Sequence, residues 1–210
     1  MVVNLCYFKI RRYDISYMKK VMIKEAIKTG WHAFSRRPLY LLGLTLAFVL
    51  LTAVSTANQI ITALTAVLYG GYIMMMIRHL HGEHIVFDDL FAIQDRWVSY
   101  AGLVLIKTFL IILGLLCFVI PGIYLAIRWM FAEMLVVDQN MKPIEALKAS
   151  SKLTEGVRGK LFLLVLVLIL LIFIGVLFFI IGMFIMSIVS MFAYIKVYED
   201  LKPKLGSDLE

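Results

Sequence analysis

The sequence predicts an all-α, polytopic transmembrane helix bundle of about six spans, with short amphipathic helices at the interface. Three observations carry that expectation. Of the 210 residues, 62% are hydrophobic and only 17% charged, where a soluble domain carries about a quarter charged residues. The apolar residues are also segregated. Residues 39–57, 60–77 and 161–195 contain no Asp, Glu, Lys or Arg, and runs of about 20 apolar residues match the hydrocarbon core of a bilayer. Lastly, no segment alternates with period two over ten residues, which argues against a lipid-facing barrel. In hydrocarbon every backbone amide must bond internally, so these runs become helices.

Taken in order, residues 1–37 form a basic tail and an amphipathic interfacial helix. Ile15, Met18, Met22, Ala26 and Ile27 recur at helical spacing, with Lys19, Lys20, Lys24 and Lys28 mostly elsewhere. Residues 1–37 are too charged for a secretory signal and lack a small-residue cleavage site after a short apolar core, while residues 1–17 read as an extension upstream of Met18-Lys19-Lys20. The membrane domain spans 38–201. Pro38 opens the first span, 38–57, where its missing N–H costs nothing. Asn58-Gln59 makes a short turn into the second span, 59–77, whose Ala63, Ala66, Gly70 and Gly71 suit close helix contact. Residues 78–97 are polar and contain a short interfacial helix around Phe87-Asp88-Asp89-Leu90-Phe91, with Trp97 as anchor. The third span is 98–119, and Pro121-Gly122 forms the turn into the fourth, 122–137. A helix from Pro143 carries Ile144, Leu147 and Leu153 on one side and Glu145, Lys148, Ser151, Lys152 and Glu155 on the other. Gly156 and Gly159 end it. As one helix the run 161–195 would reach about 52 Å, against a core near 30 Å, so it divides into two spans, with the turn at Gly182 or else Gly175. Residues 202–210 form a C-terminal tail.

Charge sets the orientation. Segments 1–37, 78–97, 138–160 and 196–210 hold 9, 2, 5 and 3 Lys or Arg, and the turns near 58, 121 and 182 hold none. The positive-inside rule then places both termini in the cytoplasm of a multi-pass protein. The net charge of +7 serves orientation and lipid head groups, not nucleic acid, because no basic stripe with interleaved aromatics stands apart from the spans. The expected partners are membrane lipids and a protein docking at the cytoplasmic face. A weak internal echo repeats an amphipathic segment before a helix pair three times, at 15–36, 86–97 and 143–157.

The tracts Pro121-Gly122-Ile123-Tyr124-Leu125-Ala126-Ile127-Arg128, Pro143-Ile144-Glu145-Ala146-Leu147-Lys148-Ala149-Ser150 and Leu153-Thr154-Glu155-Gly156 resemble a bacterial six-helix membrane family of uncharacterised function. That family is related to the membrane domain of glycerophosphodiester phosphodiesterases. Gly82-Glu83, Phe87-Asp88-Asp89-Leu90-Phe91 and Tyr198-Glu199-Asp200-Leu201 also look like it. The resemblance spans about residues 20–201. It implies a cytoplasmic-membrane protein without an established activity, and no phosphodiesterase chemistry carries over, since that soluble domain has no counterpart here. Arg158 stands where the family often carries an aromatic or polar residue, and Glu133 where relatives often carry an uncharged one.

Candidate chemistry is sparse. Lys107, Arg128 and Glu133 are ionisable groups inside spans, which are costly and face bundle interiors. Lys107 and Arg128 each lie about ten residues from the cytoplasmic edge, at similar depth, with Glu133 within reach of either. Two readings stand: a polar pocket for an anionic head group or solute, and an ion pair that fixes helix packing, with the excess charge snorkelling. His79-Leu80-His81-Gly82-Glu83-His84 superficially resembles a zinc-binding run, but distant ligands are missing and it reads as a solvated turn, so no metal or other cofactor is expected. Cys6 and Cys117 imply no disulfide framework. Ser16-Tyr17-Met18-Lys19 fits a Ser-x-x-Lys pattern on an interfacial helix without a pocket signature. No Gly-rich phosphate loop or His-Glu-x-x-His run accompanies it, and the chain reads as a non-enzyme.

Overall fold

The computed structural model describes residues 23–55, 59–83, 85–91, 94–177 and 179–206. The interfacial positions 15–22, His84, Cys6, Ser16, the turn at 56–58 and the side chains of Ala63, Ala66 and Cys117 lie outside the described residues. Those described are helical with connecting turns, and no strand occurs among them.

Helix α1 (Ile23–Arg36) meets α2 (Pro38–Ser55) at a bend of 98°. Pro38 occupies the first turn of α2, as its fixed φ favours. α1 buries Ala26, Gly30, Ala33 and Phe34 and exposes Lys24, Lys28, Trp31, His32 and Arg36. Its apolar stripe docks so closely on α9 (Phe179–Leu201) that a Cβ at Gly30 would stand 2.5 Å from the Val189 carbonyl oxygen. α3 (Gln59–Leu80) returns beside α2. Thr45 and Tyr72 join the two through their hydroxyls at 3.2 Å.

Phe87–Phe91 and Gln94–Arg96 form 3₁₀ turns in place of the expected amphipathic helix. The first folds back on α3. Its Leu90 backbone fills the space a Cβ at Gly71 would need, and Asp89 pairs with Arg78 while accepting from the Val86 N–H at 2.9 Å. The close contact read from Gly71 is therefore made with this turn.

α4 (Trp97–Cys117) and α5 (Val119–Arg128) form a hairpin, and so do α8 (Arg158–Leu177) and α9. Both turns differ from expectation. The α4–α5 turn falls at Phe118, extended at φ −162°, while Pro121 and Gly122 sit inside the first turn of α5. The run 161–195 does divide, but Gly175 belongs to α8 and Gly182 to α9. The reason is the same in both hairpins: the glycines permit close approach and do not reverse the chain. A Cβ at Gly114 would lie 3.2 Å from the Gly122 Cα, and one at Gly175 would lie 2.7 Å from the Gly182 carbonyl oxygen. Flat glycine faces let the paired helices touch backbone to backbone.

The expected fourth span is interrupted. α5 ends at Arg128, α6 (Ala132–Gln139) restarts the helix, and Trp129–Phe131 between them form a turn. α7 (Pro143–Thr154) doubles back along α6, burying Ala146, Leu147, Ser150, Leu153 and Thr154. Ile144, expected on that buried side, is exposed. Gly156, at φ +76°, turns the chain after α7, whereas Gly159 lies within α8. The short α10 (Pro203–Gly206) closes the described chain.

By length and apolarity, four stretches among the described residues can cross a bilayer: Trp97–Leu116, Val119–Gln139, Arg158–Leu177 and Ile181–Leu201. The bent α1–α2 pair makes a fifth. The chain is therefore an all-helical protein with four to five candidate membrane-spanning segments.

The glycine contacts make a testable contrast. Gly122→Ala drives a methyl against the Leu115 side chain at 2.5 Å and its backbone nitrogen at 2.9 Å, and is expected to destabilise the fold by about 1–3 kcal/mol. Gly159→Ala meets open space and is expected to stabilise by up to about 1 kcal/mol through helix propensity. Thermal unfolding in detergent micelles checks both. Equal melting points would remove the packing role.

Candidate functional site

The break at Trp129–Phe131 organises the polar interior. Trp129 (φ −109°, ψ 17°) and Phe131 (φ −91°, ψ 0°) leave the helical region. The amides there bond locally: Met130 N–H donates to the Ile127 carbonyl at 3.4 Å and Ala132 N–H to the Trp129 carbonyl at 3.2 Å. The Arg128 carbonyl is thereby released from α-helical bonding. Ser150 and Thr154, one turn apart on α7, donate to it at 3.0 and 3.3 Å. The Tyr194 hydroxyl on α9 donates to the Met130 carbonyl. A helix breaks in an apolar setting only where neighbouring groups satisfy the exposed carbonyls, and here two helices do so.

The restart turns α6 so that Glu133, in its first turn, faces α4. Lys107 Nζ donates to Glu133 Oε1 at 2.8 Å, with side chains 16% and 24% exposed. Of the three ionisable residues singled out from sequence, these two meet. Arg128 does not join them. Its Nε donates to the Ser151 hydroxyl at 2.9 Å, and that hydroxyl donates to the Leu147 carbonyl at 2.8 Å. The expected cluster is thus two sites on either side of the break. Which face of α5 Arg128 occupies was not legible from the sequence.

A further guanidinium stands beside Arg128. Arg158, the first residue of α8, donates to the Tyr124 hydroxyl and, at 3.5 Å, to the Ser151 carbonyl, while its charge lies 5.0 Å from the Tyr124 ring centroid. Ser151, placed on the solvent side of α7 by sequence, is partly buried and bonded to both arginines.

The C-terminal end of α6 is tied down separately. Asp138 accepts from Lys202 at 2.6 Å, from the Tyr198 hydroxyl at 2.8 Å and from Gln139 at 2.7 Å, and Arg96 donates to the Val137 carbonyl. Sequence pattern offered no signal for this knot, because Asp138 and Lys202 are 64 positions apart.

The histidines part company. His79 is not in a solvated turn: it is 4% exposed, and its Nε2 lies 3.0 Å from the Ala33 carbonyl oxygen, joining α3 to α1. His81 faces Glu199 of α9 at 3.6 Å. Each ring is occupied by a separate helix contact, and no group of three metal-ligating side chains converges among the described residues.

Breaking one partner of a half-buried ion pair leaves the other charge uncompensated. Lys107→Met or Glu133→Gln alone is therefore expected to cost about 2 kcal/mol, and the double variant to recover most of the loss. A double-mutant cycle on melting in micelles measures this; simple additivity would show that the pair does not couple. No family model, curated protein or solved structure matches the chain, so its resemblance to the six-helix bacterial family rests on the sequence motifs alone.

Proposed function

We propose that the chain is a six-span protein of the bacterial cytoplasmic membrane, of the kind its motifs resemble, with both termini cytoplasmic. In this reading it works without catalysis, by engaging anionic phospholipids, and partner proteins at the same surface, through its basic cytoplasmic face. α2 and α3, about 27 and 33 Å long at 1.5 Å per residue, supply the first two crossings. The four apolar stretches from Trp97 to Leu201 supply the rest.

The observation that carries the lipid reading is the outward side of α1. Lys24, Lys28, Trp31, His32 and Arg36 are exposed together on a helix bent by 98° from the first span. Lys28, Trp31, His32 and Arg36 line an open cleft beside Leu80, at the end of α3. A basic amphipathic helix lying across the membrane normal, with a Trp among its cations, suits the head-group layer. Each cation near an anionic surface contributes about 1 kcal/mol. Native mass spectrometry of the purified protein is expected to show retained phosphatidylglycerol over phosphatidylcholine. The Lys24→Glu, Lys28→Glu, Arg36→Glu triple variant should reduce that preference at least tenfold. No preference in the wild type would end the reading.

The interrupted helix at Trp129–Phe131, with Lys107 and Glu133 beside it, favours a second reading, a small transporter or lipid-moving protein. Discontinuous helices near a polar site recur in transporters. Reconstituted in liposomes, the wild type should then move lipid or ion, with Lys107→Ala, Arg128→Ala and Glu133→Ala each abolishing flux while the protein stays folded. Absence of wild-type flux, or variants that alter only stability, would leave the binding reading alone.

A further inference from the structure

We propose that Arg128 and Arg158 form a phosphate-binding site on the α5–α7–α8 side of the bundle, backed by Ser151 and Tyr124. The inference deepens the lipid reading above and rests on it for the source of the phosphate.

The charges of Arg128 and Arg158 are not balanced within the bundle. Arg78, His81, Lys107, Lys196 and Lys202 each pair with a carboxylate. Among the described residues, neither Arg128 nor Arg158 has one. Glu155, the acid nearest to Arg158 in sequence, pairs with neither. Yet both guanidiniums converge on one residue, Arg128 at the Ser151 hydroxyl and Arg158 at the Ser151 carbonyl. Two like charges drawn together without a counter-ion are unfavourable unless an anion joins them.

Donors are also left without acceptors. Arg158 Nε is buried and has no hydrogen-bond partner. Arg128 uses Nε on Ser151, and no described acceptor takes its terminal nitrogens. Guanidinium presents its donors as a planar fork that matches phosphate oxygens two at a time. The Tyr124 ring carries the Arg158 charge at 5.0 Å and so holds that fork in place.

The arginines also lie within reach of solvent or head groups. The Arg128 level looks deep in the sequence, but α7 runs alongside it with Lys148, Lys152 and Glu155 exposed. Such charges do not face hydrocarbon. Head groups or water therefore reach this side of the bundle down to the helix break, and basic pockets between membrane helices hold lipid phosphates.

The test uses the full chain in micelles, with native mass spectrometry against phosphatidylglycerol, phosphatidylcholine and inorganic phosphate. Phosphatidylglycerol should be retained by the wild type, and R128A/R158A should retain at least tenfold less. Should the alanine pair fail to fold, R128K/R158K keeps both charges without the forks and should retain three- to fivefold less. Arginine-dependent binding of inorganic phosphate in place of lipid would support the site with a soluble anion as its source. A folded double variant that retains phosphatidylglycerol at the wild-type level would overturn the site. So would equal retention of phosphatidylcholine. If retention instead falls only in the α1 triple variant, the site fails and the lipid reading stands. If the wild type holds neither anionic lipid nor phosphate, both fail.

Discussion

Two main-chain carbonyls, those of Arg128 and Met130, govern the arrangement of the rest. A helix that stops inside an apolar bundle exposes acceptors that lipid cannot satisfy. This chain meets that need with Ser150 and Thr154 from one side and Tyr194 from the other. The remedy has structural consequences. It draws α7 down along α6, which brings Ser151 to Arg128 and starts α8 beside Tyr124. It lets α6 restart with its own rotation, which aims Glu133 at Lys107. The ion pair and the arginine pair are thus products of one backbone interruption.

Most of the helical content was legible because it follows from where charge is missing. The uncharged tracts 39–57, 60–77 and 161–195 all became helix in the described residues. The turns were misplaced for a physical reason. A glycine in an apolar run marks either a reversal or a close approach, and sequence alone does not distinguish them. Gly122, Gly175 and Gly182 serve approach. The break at Trp129–Phe131 carried no signal, since Trp, Met and Phe are ordinary helix residues in lipid. Its cause lies in hydroxyls some 20 and 60 positions away. Lys107, Arg128 and Glu133 were recognisable as unusual in spans, but pairing depends on helix rotation, which the interruption resets. Arg158 drew notice only as a departure from the resembling family; its partnership with Arg128 needed α7 in place.

Many of the basic groups then fall into three environments. Lys107 is neutralised within the bundle. Arg78, Lys196 and Lys202 are paired near helix ends. The cations exposed along α1, and the two arginines around Ser151, have no carboxylate partner among the described residues. In the function proposed above, an anionic surface or head group would complete that charge pattern, which links the α1 face and the α5–α7–α8 side in one lipid-binding reading.

The glycine-faced hairpins bear on biogenesis. Around Phe118, and from Leu161 to Ile195, the chain carries no charged residue, so the far ends of α4–α5 and α8–α9 offer no hydrophilic loop to be carried through the bilayer. Each pair of helices can enter as a preassembled wedge, backbone against backbone, with little translocation work. Membrane insertion of these hairpins would accordingly depend weakly on the transmembrane potential and on machinery that exports polar segments.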